Sequence, residues 1–181
     1  MAGINRANPI NELLAKSHKR QSLPCIFLSH ISIDKKIAVA IGEYIKNADL
    51  DIYLDIYDQE LQSAVQDDDP KRITALIERG INASSHLMCL VSENTVESWW
   101  VSYEIGFGKS KEKEISTLTL KNTVTLPAFL EIGVILIGIK SLNAYLKEIH
   151  RGPLLLKSTG HLIPYYEKTK HPLDVHLHWN K

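Results

Sequence analysis

Long apolar runs alternate with polar stretches along the chain, and the first run sets the pattern. CIFLSH, residues 25–30, is continuous and apolar, as expected for a strand buried on both faces of a parallel sheet. The polar stretch SHISIDKK follows, and in it Ser32 or Asp34 can cap a helix. Isoleucines then recur at helical spacing from Ile37 to Ile45. The pattern predicts a strand, a polar loop and a helix.

The second unit has the same plan with a longer loop. DIYLD, Asp51–Asp55, alternates enough to be a strand nearer a sheet edge. A long polar loop without a core of its own is predicted from Asp55 to Asp69. Asp69 and Pro70 then mark a helix start, because Asp is a good N-cap and Pro fits the first helical position. This explanation is preferred to a metal site for the run of three aspartates that ends at Asp69.

The third unit contains the helix around which the chemistry is organised. HLMCLVS, residues 86–92, is predicted to be a strand, and Asn94 or Thr95 can cap the helix that follows. Trp100 and Glu104 are four residues apart, so they lie on one face of that helix. A core helix that turns its glutamate towards water would give the same spacing.

The remaining elements complete an α/β fold. A fourth strand is predicted at Ser116–Asn122, a fifth at Val134–Gly138, and a last helix through Leu142 to Ile149. Strand–loop–helix units in tandem imply a parallel sheet with helices on both faces and right-handed crossovers.

The expected organisation is one domain with two extensions. Residues 1–22 form an N-terminal arm with a short helix that docks through the apolar positions of Ile10–Leu14. Residues 23–150 form the α/β domain. Residues 151–181 form an irregular C-terminal extension that packs on the domain.

Composition narrows the classes of partner. The 181 residues are 44% apolar, enough for a full core, and 21 basic residues balance 21 acidic ones. A net charge of zero gives no electrostatic reason to bind nucleic acid or an anionic membrane. The apolar run Ile132–Ile139 is far shorter than the roughly 20 residues of a transmembrane helix, and export is not expected because the first residues contain no apolar h-region. A cytoplasmic protein is expected, with Cys25 and Cys89 as buried, reduced thiols.

Two motifs are set aside. Gly108-Lys109-Ser110 lacks the earlier glycine of a phosphate-binding loop and stands at the wrong end of a helix. Three histidines near the C-terminus have metal-like spacing but no cysteine or carboxylate partner in pattern, so solvent exposure is expected instead. They are His171, His176 and His178.

Three chemically rich loops are predicted to meet at one edge of the sheet. Open parallel sheets bind ligands outside the carboxyl ends of their strands. The loops after the first three strands all end at this edge. Their candidate functional side chains are His30, Asp34, Asp55, Tyr57, Trp100 and Glu104.

The motifs in this order resemble a TIR domain of the bacterial type. The resemblance rests on FLSHISIDK, on the DIYLD strand with its loop, on HLMCLVSENT and on the W-x-x-x-E of Trp100 and Glu104. It runs from Cys25 to Lys147. Within the family, the chain is most similar to the stand-alone TIR proteins of Thoeris-type antiphage defence.

The resemblance implies a fold and an activity. The fold is flavodoxin-like, with five strands in the order 2-1-3-4-5. Many members cleave NAD⁺ at the nicotinamide–ribose bond with the glutamate of the W-x-x-x-E motif, here Glu104, so NAD⁺ is expected as substrate and no cofactor is needed. The substrate-binding candidates are His30, Ser32, Asp34, Asp55, Tyr57, Trp100 and Tyr103.

The sequence leaves open the product of NAD⁺ cleavage, the partners of the chain, and whether it is an enzyme or an adaptor. Attack by water would give ADP-ribose, and attack by a hydroxyl or by adenine would give a cyclic messenger for a separate effector protein. We expect self-association to be needed for activity, because the loop from Asp55 to Asp69 has no core of its own. The alternative is a non-catalytic TIR adaptor that acts by homotypic assembly. A phosphorylatable receiver is disfavoured because Ser29 and His30 stand where it would carry an aspartate.

Overall fold

A single parallel sheet organises the chain. The computed structural model describes residues 2–95, 98–121, 126–150 and 171–179. Within them, five strands lie in the order β2-β1-β3-β4-β5, and every neighbouring pair is parallel, which confirms the predicted α/β fold and its strand order. The strands are β1 (Cys25–Ser29), β2 (Asp51–Tyr53), β3 (His86–Val91), β4 (Glu114–Thr119) and β5 (Val134–Ile137).

Helices follow the strands as the sequence pattern indicates. Those in the described residues are α1 (Glu12–Ala15), α2 (His18–Gln21), α3 (Lys35–Asn47), α4 (Gln59–Gln66), α5 (Pro70–Asn82), α6 (Trp99–Ser110) and α7 (Gly138–His150). Short 3₁₀ turns lie at Pro9–Asn11, Ser32–Asp34, Asp55–Tyr57 and Ala128–Leu130.

The sheet separates two apolar cores because alternate side chains of each strand point to opposite faces. In β1, Ile26 and Leu28 pack into a core with α3 and α7, whereas Cys25 and Phe27 pack into a core with α4, α5 and α6. All five residues of β1 are buried. The predicted central strand is therefore covered on both faces.

Helix α4 replaces most of the predicted polar loop between Asp55 and Asp69, so that prediction is wrong. The carboxylate of Asp58 caps the helix by accepting the backbone N–H groups of Glu60 at 3.1 Å and Leu61 at 3.2 Å. Leu61 and Ala64 are buried in the core beneath it. The segment has an apolar anchor within the chain, and the structural reason for expecting that activity requires self-association is lost.

Of the three predicted helix caps, at α3, α5 and α6, only the one at α5 is confirmed, and the N-cap residue of α3, Asp34, makes no side-chain capping bond. Asp69 accepts a backbone N–H of the first turn of α5 at 3.0 Å, as predicted. Helix α6 begins at Trp99 and is capped by Ser98, whose hydroxyl accepts the N–H of Val101 at 3.3 Å. The predicted cap at Asn94 or Thr95 is therefore wrong.

The N-terminal arm is held by polar groups, against the expectation that its apolar residues dock. Ile10 and Leu13 are 88% and 89% exposed, and Leu14 is 54% exposed. The attachment lies earlier in the arm, where Asn5 forms a parallel bridge with Ile52 of β2.

Asp51 is the point at which the arm is fastened to the sheet. Its carboxylate is 1% exposed and accepts Nε of Arg6 at 3.0 Å and Nη1 of Arg20 at 2.5 Å. The backbone N–H of Ile4 also donates to it, at 3.0 Å. One buried charge thus ties two separate parts of the arm to β2.

Part of the predicted C-terminal extension is described, and it packs on the α3–α7 side. Leu173 and Leu177 are buried in that core. The carbonyls of residues 176 and 178 accept the backbone N–H groups of Lys121 and Ile139 at 2.9 and 2.8 Å. Residues 151–170 of the extension lie outside the described residues.

The C-terminal histidines do not share one environment. His171 is buried, with Nε2 3.3 Å from the hydroxyl of Tyr44, so the expectation of solvent exposure is wrong for it. His178 is exposed, and His176 is partly buried. No group of three or more His, Cys, Asp or Glu side chains in the described part of the chain is placed to hold a metal ion.

The two cysteines lie where the pattern predicts. Cys25 in β1 and Cys89 in β3 are on neighbouring strands, and both are buried free thiols. Burial raises the pKa of the Cys25 thiol to about 11 and raises that of Cys89 further. Both thiols are therefore protonated and unreactive at neutral pH.

Replacing Asp51 tests the polar fastening of the arm. We expect Asp51→Asn to lower the free energy of unfolding by about 3–5 kcal/mol, because it leaves two arginines with no carboxylate partner at this point. Urea unfolding followed by circular dichroism measures the change. Asp67→Asn, which removes an exposed carboxylate paired with Arg72, is the matched control and should remain close to wild type. Equal stability of the two variants would contradict the role of Asp51.

Candidate active site

A cavity of about 370 Å³ opens where β1, β2 and β3 end, within the size range of small-molecule sites. Its lining contains both polar and apolar residues, and the apolar ones come mainly from α4 and α5. The polar residues are His30, Ser32, Lys35, Asp55, Gln62 and Glu104. The apolar residues are Ile56, Leu61, Val65, Ile73, Ile77 and Trp100.

Glu104 is a cavity residue and not a solvent-facing one. It is 5% exposed, and the hydroxyl of Ser29, the last residue of β1, donates a hydrogen bond to Oε2 at 2.5 Å. Helix α6 lies close to the sheet at this point because Gly108 has no side chain. A Cβ at that position would lie 2.8 Å from Cδ1 of Leu87 in β3. The alternative in which the glutamate faces water is excluded.

Burial controls the charge of Glu104. It raises the pKa of this carboxyl to about 8. The hydrogen bond from Ser29 lowers the pKa, and the nearby charge of Asp55 raises it. The pKa of Asp55 is also raised, mainly by burial, while its electrostatic interaction with His30 lowers it. At neutral pH the empty cavity therefore holds Glu104 mostly in its neutral form.

Asp55 and His30 form a second polar pair in the same cavity. Nδ1 of His30 lies 3.7 Å from Oδ1 of Asp55 and 3.2 Å from the carbonyl oxygen of Leu28. Oδ1 of Asp55 is buried and has no hydrogen-bond partner in the described structure. Such an atom is costly to bury, so it marks a place where a donor is needed.

Helix α6 contributes the aromatic ring of Trp100 to the cavity lining. Trp100 lines the cavity and is 44% exposed. Its ring meets that of Tyr103 edge to face, with centroids 6.1 Å apart. Tyr103 does not line the cavity, and its hydroxyl donates a hydrogen bond to Glu78 of α5. Of the two, only Trp100 is placed to contact a bound molecule.

Asp34 and Tyr57 are not brought to the cavity wall. Asp34 is buried and accepts the hydroxyl of Ser92 at 2.6 Å, while the backbone N–H of Ser92 donates to Thr95 at 2.9 Å. Asp34 thus fastens the β3–α6 loop, and its side chain makes no capping bond to α3. Tyr57 is exposed and borders a separate surface depression beside Pro9.

Sequence reasoning missed three polar residues of the site. Ser29 was available as the polar residue that ends an apolar strand, but its contact with Glu104 joins residues 75 positions apart. Lys35 reads as an ordinary first-turn residue of a helix. Gln62 lies on α4, which was predicted to be loop. Ser29 and Lys35 stand inside the FLSHISIDK motif without being singled out by it, and Gln62 belongs to none of the recognised motifs.

Comparison with known proteins identifies the family. The family model described as "Thoeris protein ThsB, TIR-like domain" matches residues 27–125, which are 99 of the 181 residues. The match includes all the residues that line the cavity, from His30 to Glu104. None of the helices within the described residues has the length and apolar character needed to cross a membrane.

Two individual proteins are similar over much of the chain. The "Probable 3' cyclic ADP-D-ribose synthase ThsB'" of Bacillus cereus (strain MSX-D12) is 24% identical over 113 residues, 62% of this chain. The aligned part spans 57% of the length of that relative. The crystal structure of the TIR domain of the Toll-related receptor TRR-2 from Hydra magnipapillata aligns with a TM-score of 0.50 and 14% identity. It covers 70% of this chain and 94% of that one, and it supports the fold.

The raised pKa of Glu104 predicts how stability depends on pH. Below its ordinary pKa of 4.5 the carboxyl is neutral in both the folded and the unfolded chain. Between 4.5 and about 8 only the unfolded chain loses the proton, so wild-type stability falls by about 1.4 kcal/mol per pH unit from this group. Above about pH 8 the carboxyl is ionised in the folded chain as well, and the loss of stability reaches its full value.

Glu104→Gln removes that cost because an amide stays neutral. We expect the variant to gain stability over wild type as the pH rises from 5 to 8, by on the order of a few kcal/mol, and to be level with wild type or slightly less stable near pH 4.5. Urea unfolding at several pH values measures the difference. Glu43→Gln, at an exposed glutamate of α3, is the control and should show no such trend. A variant that loses stability relative to wild type as pH rises would refute the buried-carboxyl assignment.

Proposed function

The chain belongs to the ThsB-type family of TIR-like domains, and from this premise we propose that it cleaves NAD⁺ at the bond between nicotinamide and ribose. The observation that carries the proposal is the buried Glu104 in a cavity at the carboxyl edge of the sheet. A carboxyl held out of water with a raised pKa in a cleft is typical of a functional site.

One carboxylate is sufficient for this chemistry. Ordinary glycosidases need an acid to protonate the leaving oxygen and a second carboxylate for the cationic sugar. In NAD⁺ the leaving group is already a pyridinium and departs as neutral nicotinamide, so no acid is required. What remains is to stabilise positive charge on the ribose, which a fixed carboxylate does best in a water-poor site.

Substrate binding would switch Glu104 to its active form. In the empty cavity burial keeps the carboxyl mostly neutral at pH 7. A pyridinium or a developing oxocarbenium ion nearby favours the carboxylate by direct attraction. The carboxyl proton passes to solvent when the cation binds, and the buried carboxylate is then paired with the positive charge of the substrate.

The mixed lining suits the two kinds of surface that the substrate presents. The apolar residues of α4 and α5, together with Trp100, would hold the flat nicotinamide ring. Lys35 at the start of α3 would attract the diphosphate. Ser32 and Asp55 would form hydrogen bonds with the ribose hydroxyls and so fix the position of the ribose ring.

We propose a cyclic ADP-ribose-type product that acts as a messenger in antiphage defence. The name of the Bacillus cereus relative as a cyclic ADP-ribose synthase supports this product class. A diffusible product implies a separate effector protein that senses it. Association between copies through TIR surfaces is compatible with the exposure of Trp99, 89% exposed at the start of α6.

A non-catalytic adaptor is the second candidate, and it makes a different demand on Glu104. An adaptor that acts by homotypic assembly does not need a buried carboxyl against a cavity. Release of nicotinamide by the purified protein decides between the two, because an adaptor releases none.

Neutralising Glu104 tests the catalytic proposal directly. We expect Glu104→Gln to lower the rate of nicotinamide release by about 100-fold or more, because the charge opposing the ribose cation is removed. Incubation with NAD⁺ followed by mass analysis of the products measures it. Glu43→Gln serves again as the matched control and should turn over normally. Wild-type turnover by Glu104→Gln would exclude the carboxylate as the catalytic group.

The pH dependence gives an independent test of which form is active. We expect kcat/KM to rise with pH through a midpoint near 8, because this parameter reports the free enzyme and the carboxylate is the active form. The midpoint for kcat should lie lower, since the bound cation favours ionisation. Ser29→Ala should move the kcat/KM midpoint to higher pH, because the lost hydrogen bond normally lowers the pKa of Glu104. A kcat/KM that falls through pH 8 would mean that the neutral acid is required.

A further inference from the structure

His30 has an environment that fixes its tautomer. Two oxygen acceptors face Nδ1, namely the carbonyl of Leu28 at 3.2 Å and Oδ1 of Asp55 at 3.7 Å. A neutral imidazole carries one proton, and two acceptors on one side favour that proton on Nδ1. Nε2 is then left with its lone pair.

Nε2 is available to a bound molecule. It has no hydrogen bond to any group among the described residues, and the ring of His30 lines the cavity that also contains Glu104. The ring itself is held firmly, since its side chain is only 6% exposed. A histidine oriented through one nitrogen and open at the other is the arrangement of a general base.

The proposed reaction needs such a base in its second half. When nicotinamide departs, the electron pair of the C1′–N bond goes to the pyridine nitrogen and no proton moves. When an O–H nucleophile then attacks C1′, a C–O bond forms and one proton must leave the oxygen. Glu104 is required as a carboxylate while the sugar is cationic, so a separate acceptor for that proton is an advantage.

We propose that Nε2 of His30 accepts the proton of the attacking hydroxyl, that the carbonyl of Leu28 orients the ring, and that the nearby carboxylate of Asp55 stabilises the imidazolium that forms. The nucleophile is an O–H group, either of water or of the substrate itself. The imidazolium afterwards returns its proton to solvent, so the protein is regenerated and no oxidation or reduction occurs. This inference rests on the proposed NAD⁺ cleavage and assigns the step that follows it.

A nucleophile that carries no proton separates the two steps. The nitrogen of 3-acetylpyridine attacks C1′ through its lone pair and needs no base. Wild-type protein would be incubated with NAD⁺ and 3-acetylpyridine, and the exchanged dinucleotide and the oxygen products, ADP-ribose and O-linked cyclic ADP-ribose, would be measured in the same sample. Their ratio is independent of how much of the protein is folded and active.

We expect His30→Asn to lower the ratio of oxygen products to exchange product by about 100-fold, with exchange retained. Asp55→Asn should lower the same ratio by less, because the imidazole of His30 is still present as the base but loses the carboxylate that stabilises its protonated form. Glu104→Gln should lose both products together. His18→Asn and Asp67→Asn, at exposed positions outside the cavity, are the matched controls and should keep the wild-type ratio.

Each outcome bears on one proposal or both. If His30→Asn keeps the wild-type ratio, whether or not both products fall together, the role of His30 is overturned and NAD⁺ cleavage still stands. Absence of both products with wild-type protein would instead overturn the proposed function, and the assignment of His30 with it. If His30→Asn does not fold, Asp55→Asn carries the test, and an unchanged ratio there refutes the pair.

Discussion

The burial of one carboxyl group between β1 and α6 is the constraint on which the site depends. Glu104 lies at the carboxyl edge of a fully buried strand, and Ser29 is the group that donates a hydrogen bond to it. Holding a carboxyl there costs stability whenever it is ionised. The same desolvation makes the carboxylate effective against a cation, because little water screens the pair. The catalytic value of Glu104 and its cost to the fold therefore have one physical origin.

Polar contacts hold the helices that line the cavity beside this group. Helix α4 contributes to the lining, and Asp58, which caps it, also accepts the hydroxyl of Tyr53 at 2.5 Å. Arg79 of α5 donates to the same carboxylate at 3.0 Å. Close packing of α5 against β2 requires Gly80, since a Cβ there would lie 2.5 Å from the ring of Tyr53. The hydrogen bonds that Asp58 accepts from Tyr53 and Arg79 thus hold α4 and α5 in place beside the cavity.

The sheet could be predicted from sequence because its information is local. A continuous apolar run such as Cys25–Ser29 indicates a buried strand wherever it occurs, and Asp69 before Pro70 indicates a helix start. Helix α4 was missed although its signal was present: Asp58 precedes a helical pattern of Leu61 and Ala64, in a segment whose many polar residues favoured a loop. The order of the strands came from family resemblance, since periodicity alone does not specify it.

The site was less predictable because its decisive contacts join distant residues. Sequence spacing places Trp100 and Glu104 on one helical face, but it does not show that the face turns inward. Likewise, Asp34 and His30 belong to the same polar loop, yet Asp34 fastens a neighbouring loop through Ser92 while His30 faces the cavity. The difference arises from where β1 ends relative to β3: Ser29, the last residue of β1, is in register with Cys89, while β3 continues to Val91 before its loop begins. Residues with the same local pattern therefore acquire different roles from strand register, which no single stretch of the chain encodes.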